Sequence, residues 1–330
     1  MPNGFVDIQF NGWMGTDFTA DRLTAEQVLE ITGQIMRLGT IAYCPTVITG
    51  PEEDYRTNLA AIAHAMHDRD LGRHILGIHL EGPFISPEDG ARGAHPKAHV
   101  RVPDPERLDR YQDWADGAIC LLTVAPEVPG AEALIRHAVR RGITVSIGHH
   151  LAGDDDLRRA VDAGATLITH FGNGIPNQIH RHENPLWWLL ACDRLTALCI
   201  TDGHHLPADL ITVALRAKGL EHFAVTSDAS PLGGMPPGEY TVFGSLPVVV
   251  EPSGRISSPT SKSLAGSHAC MAECMNHLAS LGLLTEAELW RVGRDNPLRA
   301  IGKADFDLEQ LGGPQWHLSG TRFTASAVRA

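Results

Sequence analysis

A (β/α)8 barrel is the fold that this sequence predicts, on three observations. Short apolar runs alternate with amphipathic helical segments along most of the 330 residues, which is the pattern of βα units and a parallel sheet. Eight such runs can be counted. Four of them close on an acidic or imidazole residue: Glu81 in ILGIHLEG, His149 in TVSIGHH, His170 in ATLITHF and Asp228 in HFAVTSDA. A closed parallel barrel turns the C-terminal ends of its strands to one face, so residues far apart in sequence meet there, and that face is where chemistry is done.

The expected strands cover residues 5–11, 40–47, 74–81, 119–125, 144–149, 165–171, 195–201 and 222–228. Between them lie helical segments such as AEQVLEITGQIMRLG, GAEALIRHAVRRG, DDDLRRAVDAG and PADLITVALRAKG; each ends in a glycine, as a helix C-terminus prefers. After the eighth strand, GEYTVFGSLPVVVEPSGRISSP places alternating apolar residues around a Pro-Ser-Gly turn. That predicts a hairpin lying over the active face. Two helices follow, over 267–281 and 286–300. The second is preceded by Thr285 and Glu288 at capping-box spacing. The barrel with hairpin and helices is thus expected over 1–302, leaving 303–330 as a C-terminal tail without assigned structure.

The length suits one closed barrel with added loops and helices. With 43% hydrophobic and 20% charged residues, the chain can bury a substantial core, which argues against disorder. A net charge of −12 and a pI near 5.8 leave no basic stripe for nucleic acid or an anionic membrane surface. An anionic substrate must therefore be met by local Arg and His. The N-terminus has no charged region followed by an apolar one, and no run approaches a membrane span, so the cytoplasm is the expected location. Six cysteines are few for this length, and Cys270 and Cys274, one helical turn apart, are expected as core residues rather than metal ligands.

A metal-activated water needs three protein ligands, an open coordination position and a base for the water's proton. Glu81, His149 and His170 are the ligand candidates, and Asp228 is the base candidate. One Glu with two His suits zinc first, and would also accept iron, manganese or cobalt. One strand-end histidine alone would be unremarkable, since such residues often cap loops. Four together are hard to explain that way.

The segments VDIQFNG, HLEGPFISPEDGARGAHPKAHVR, VAPE, SIGHH, THFGNGIP, TDGHH, TSDASPLGG, SLAGS and NPLRAIG resemble the successive motifs of the N-acetylglucosamine-6-phosphate deacetylase family in the amidohydrolase superfamily. The resemblance implies that Glu81, His149 and His170 bind metal and that Asp228 is the general acid/base. Many amidohydrolases carry a His-x-His pair on the first strand for a second metal, whereas Gln9 and Asn11 stand there in this chain. Neutral amides are poor zinc ligands, so one bound ion is expected. The resemblance also implies that His95 contacts the acetyl carbonyl or the sugar, and that the Asn173–Gly174 backbone, Arg181 and His205 hold the phosphate of an amino-sugar phosphate. Its arginine can act across a homodimer interface, although the loop NQIHRHENPLWW departs from the family's sequence. Trp187 and Trp188 could stack on a sugar ring, yet adjacent helical positions diverge, so at least one is expected in the core.

Family members normally carry a small β-sandwich flanking the barrel; here it is expected to be reduced or absent. The expected reaction is hydrolysis of the acetamide of N-acetylglucosamine 6-phosphate. The alternatives are another or unphosphorylated N-acyl amino sugar and, from a different class, a non-catalytic sugar-binding or regulatory homologue.

Overall fold

The computed structural model describes residues 4–242, 246–259 and 264–325. Eight parallel strands form one sheet in sequential order: β1 (Phe5–Phe10), β2 (Thr40–Ile48), β3 (Ile78–Glu81), β4 (Ile119–Val124), β5 (Thr144–Ile147), β6 (Leu167–Ile168), β7 (Thr196–Cys199) and β8 (Phe223–Val225). Just beyond β8 the chain returns to β1: Asp228 N–H donates to the Gln9 carbonyl at 3.0 Å and Asn11 N–H to the Ala229 carbonyl at 2.8 Å. The barrel thus closes at its C-terminal rim.

All eight expected strands are present, mostly trimmed at their ends. The third loses residues 74–77 because Gly72–His74 is a 3-10 turn and Gly77 adopts φ +146. That conformation brings its backbone against Cys120, whose Sγ would lie 2.6 Å from an added Cβ. The sixth shrinks to two residues, since the chain turns into the active face directly after Ile168.

Helices α1 (Ala25–Arg37), α2 (Glu52–Met66), α3 (Pro105–Trp114), α4 (Ala131–Arg140), α5 (Asp154–Ala163), α6 (Pro185–Ala191), α7 (Ala208–Lys218) and α8 (Met271–Ser280) surround the sheet. Local sequence dictates their starts. Thr24 and Gln27 form a reciprocal capping box on α1, and Asp104 accepts from Glu106 N–H ahead of Pro105 on α3. Such caps satisfy backbone donors that a helix end leaves orphaned. The expected last helix is one run with a π turn in its middle, Glu286–Trp290, Arg291–Asp295 and Asn296–Ala300, capped by Thr285 as predicted.

The core has two parts. A large cluster fills the space between sheet and helices; a smaller one, including Val6, Ile8, Ala42, Leu121, Leu167 and Leu198, plugs the barrel and is sealed by Leu298 and Ile301. A polar belt also runs through the barrel interior. His79 Nε2 lies 2.8 Å from Thr123 Oγ1, Thr123 Oγ1 2.8 Å from Thr169 Oγ1, and Thr169 Oγ1 2.6 Å from Ser146 Oγ.

The expected hairpin after β8 is a three-stranded antiparallel sheet, Gly238–Val242, Leu246–Val250 and Ile256–Ser257. Within 303–325, the strands Trp316–Ser319 and Arg322–Ala325 pair as a hairpin, and no β-sandwich is seen among the described residues. Phe323 stacks edge-on to Phe5 at 5.0 Å and to Trp290 at 4.9 Å, tying this hairpin to β1 and the last helix. No helix among the described residues is long and apolar enough to cross a membrane. Because Phe323 is buried, Phe323→Ala should cost about 3 kcal/mol of stability. Urea unfolding checks this, and a loss well under ~1 kcal/mol would mean that the hairpin does not hold the barrel.

Candidate active site

Four strand ends deliver the predicted residues to one cavity of about 730 Å³, lined by Glu81, His149, His170 and Asp228 together with His95, Asn173, Gly174 and His205. The backbone there is unusual. Six described non-glycine residues have positive φ, and three of them are His149 (+49), His170 (+28) and Asp228 (+50). That region is costly for L-residues and persists only where surrounding structure enforces it. Three of the four segments thus turn at a left-handed residue two or three positions beyond the strand, and after Glu81 the same turn falls to Gly82 at φ +90.

Glu81 Oε1 lies 3.2 Å from His149 Nε2 and 3.0 Å from His170 Nε2, and the two Nε2 atoms are 2.9 Å apart. His149 Nδ1 is 2.9 Å from the Ala91 carbonyl, which can only accept. That nitrogen therefore carries the proton, and neutral His149 presents a lone pair at Nε2. Two unprotonated imidazole nitrogens and a carboxylate oxygen facing one point call for positive charge among them, either a proton shared with Glu81 or a metal ion. Ligand atoms about 2.0–2.2 Å from a tetrahedral zinc stand roughly 3.3–3.6 Å from one another, a few tenths of an ångström wider than the 2.9–3.2 Å seen. The residues fit a divalent ion. Gly174 makes the close packing possible: at φ +62, an added Cβ would stand 3.0 Å from the His170 ring and 3.1 Å from His149.

His95 also belongs to this cluster, with a donor atom within 4.8 Å of ligand atoms of Glu81 and His149. Its protonation pattern differs from that of its neighbours. Thr49 N–H, which can only donate, points at His95 Nδ1 from 3.4 Å, with Thr49 Oγ1 at 2.9 Å. Neutral His95 then carries its proton on Nε2. Burial, with His149 next to it, holds its pKa well below the usual imidazole value, so it is a neutral hydrogen-bond donor.

Asp228 Oδ1 accepts from Gln9 Nε2 at 3.0 Å and Asn11 Nδ2 at 2.6 Å. Gln9 Nε2 also donates to Glu81 Oε1 at 2.8 Å. The two amides at the His-x-His positions thus act as donors that bracket the carboxylates. Burial and then the Glu81 charge raise Asp228 to about 7, so its proton can leave and return near neutral pH.

The phosphate-contact candidates divide. Asn173, Gly174 and His205 line the cavity, but Arg181 does not; Arg181 is exposed, and its carbonyl accepts from the Trp187 indole at 2.9 Å. Neither Trp187 nor Trp188 lines the cavity. Trp187 is 54% exposed, whereas Trp188 packs on the core. Cys270 and Cys274 are buried core residues.

Sequence reasoning missed Asp202, although it stands in the TDGHH motif. It accepts from His205 Nδ1 at 2.7 Å and from the His204 and His205 amides at 2.9 Å each. Burial opposes its charge, but these bonds and the His205 imidazole hold its pKa well below the ordinary carboxylate range. Asp202 thereby fixes the orientation of His205. Asp7 was missed too; it binds Thr226 Oγ1 at 2.7 Å and Ser227 N–H at 3.2 Å, bracing the segment that ends in Asp228. Arg92 and Arg255, on the cavity wall, were likewise not singled out.

Searches against family models give no match. Among individual proteins, the chain is 36% identical over 302 residues to the human N-acetylglucosamine-6-phosphate deacetylase, covering 87% of this chain and 71% of that one. It is 30% identical over 300 residues to an N-acetylgalactosamine-6-phosphate deacetylase of Escherichia coli O157:H7, covering 90% and 77%. Among solved structures, a mutant N-acetyl-D-glucosamine-6-phosphate deacetylase of Mycobacterium smegmatis, in complex with N-acetyl-D-glucosamine-6-phosphate, superposes with a TM-score of 0.81 at 29% identity, covering 91% and 77%. With the same barrel and this level of identity across most of its length, the chain belongs to the N-acetylglucosamine-6-phosphate deacetylase family.

Proposed function

We propose that this protein hydrolyses the acetamide of N-acetylglucosamine 6-phosphate to glucosamine 6-phosphate and acetate. The observation that carries the reading is the meeting of Glu81 Oε1, His149 Nε2 and His170 Nε2 around one point beside Asp228. Those three residues would hold one divalent ion, zinc by preference, which when bound supplies Lewis-acid polarisation and a more acidic water. Gln9 and Asn11, as amides, are not ligands for a second.

Asp228 takes a proton from the attacking water and returns it to the sugar nitrogen as the C–N bond breaks, so that water and amide become the amine and acetic acid, whose remaining acidic proton is then lost to leave acetate. Its two amide donors hold one carboxylate oxygen and leave the other for this exchange. His95 Nε2–H donates to the acetyl oxygen as negative charge builds there. His205, held by Asp202, and the Asn173–Gly174 backbone take the phosphate end. The E. coli relative named for the galactosamine epimer supports that sugar as a second substrate reading.

We place the activity in the cytoplasm, where the six free cysteines would stay reduced. A homodimer fits the same reading, because Arg181 lies outside its own chain's cavity and exposed Ile179 and Trp187 stand near it.

Two measurements test the reading. Asp228→Asn should lower kcat at least about 10³-fold while the metal stays bound, read by acetate release and elemental analysis; a near-normal rate would remove Asp228 from the mechanism. Purified protein should carry a single tightly held divalent ion per chain. Chelation should abolish acetate release from N-acetylglucosamine 6-phosphate and zinc should restore it, whereas undiminished release after complete metal removal would overturn the metal-dependent reading.

A further inference from the structure

An anionic substrate entering a chain of net charge −12 needs a local cation, and Arg181 does not supply one within its own chain. Among the described residues, the lysine and arginine side chains lining the cavity are Arg92 and Arg255. Arg92 is already committed. One terminal nitrogen meets Asp89 Oδ1 at 2.6 Å and the other donates to the His95 carbonyl, so it serves the loop that carries His95.

Arg255 is different. It projects from the turn between Leu246–Val250 and Ile256–Ser257, and its Nη1 meets Glu251 Oε1 at 3.1 Å. Its side chain is 41% exposed, which leaves further donors of the guanidinium fork facing the cavity mouth. The turn is held firmly. Glu251 N–H donates to the Arg255 carbonyl and Gly254 N–H to the Glu251 carbonyl, both at 2.9 Å, and Gly254 takes the left-handed conformation the turn requires, φ +84. Val248, Val250 and Ile256 form a small core of their own with Leu232 and Ala265.

A further bond aligns this turn with the phosphate end. His204 Nε2 donates to the Ser253 carbonyl at 3.0 Å. His204 and His205 are anchored by the same Asp202 carboxylate through their backbone amides. One loop therefore fixes both the imidazole assigned to the phosphate and the turn that carries Arg255.

We propose that Arg255 recognises the substrate's phosphate group within the same chain, acting from the hairpin beside His205 as a specificity-determining residue. This rests on the reading of the substrate as an amino-sugar phosphate. A guanidinium fork meets two phosphate oxygens at once, and its contact with Glu251 is half-exposed and cheap to exchange.

The test compares kcat/KM for N-acetylglucosamine 6-phosphate with that for unphosphorylated N-acetylglucosamine, in the wild type, Arg255→Ala and Arg255→Lys. The ratio should fall about 10–100-fold in Arg255→Ala, mainly through KM, and Arg255→Lys should lie between, since ammonium keeps the charge without the fork. Equal losses on both sugars, or an unchanged ratio, would overturn the assignment. Calorimetry with glucosamine 6-phosphate reads the contact without turnover: Arg255→Ala should bind it about 10–100-fold more weakly, and wild-type affinity in the variant would sink the inference even if deacetylation stands. Wild type that binds glucosamine 6-phosphate but releases no acetate would instead overturn the proposed reaction and leave the calorimetric comparison to decide Arg255.

Discussion

The convergence of three candidate ligand atoms on one point governs the upper half of this barrel. Glu81, His149 and His170 aim a carboxylate oxygen and two imidazole nitrogens at each other within about 3 Å, an arrangement that needs positive charge, a proton or a metal ion, among those atoms. Everything near it acts to keep those atoms from turning away. The left-handed backbone at His149 and His170 directs their rings inward, the Ala91 carbonyl fixes the His149 tautomer, and Gly174 brings a loop within contact of both rings. Preorganisation of this kind is expensive in isolation and is sustained by the packed sheet below.

Asp228 is bound to that cluster through Gln9, whose single amide nitrogen donates to both carboxylates. The proposed base and the candidate ligand thus share a donor on the first strand, and the eighth strand is braced against the first again through Asp7, Thr226 and Ser227. Closing the barrel and positioning Asp228 are therefore one structural event. The ladder between β8 and β1 is short, limited to the segment around Gln9, Asn11, Asp228 and Ala229, so side-chain bonds contribute heavily to closure at that seam.

Much of this was legible in the sequence because strand ends in a parallel barrel are a positional code. Glu81, His149, His170 and Asp228 each follow an apolar run, so period and punctuation alone bring them to one face. Gln9 and Asn11 were expected from their chemistry to be poor metal ligands, but their bonds to Asp228 were not legible, since those depend on where side chains meet across the barrel. Asp202 lay within a recognised motif and was passed over, because a carboxylate beside two histidines gives no sign in sequence of which one it holds. Arg255 was not singled out for a different reason: the hairpin was expected over the active face, but one basic residue in its turn gives no sign in sequence that its side chain lines the cavity. The hairpin at 316–325 escaped because its short strands expose alternate polar residues and bury little beyond Trp316 and Phe323. Two apolar residues are too few for a periodic signal.

The polar belt inside the barrel has a consequence for the chemistry above it. His79, Thr123, Thr169 and Ser146 form one hydrogen-bonded chain, and each hydroxyl in it can rotate to donate or to accept. Turning the hydroxyl protons redirects the Thr123, Thr169 and Ser146 bonds without displacing a heavy atom, whereas the His79–Thr123 bond reverses only if the imidazole proton moves between its two ring nitrogens. The barrel interior thus holds a short row of dipoles whose hydroxyl members can turn within an otherwise apolar plug.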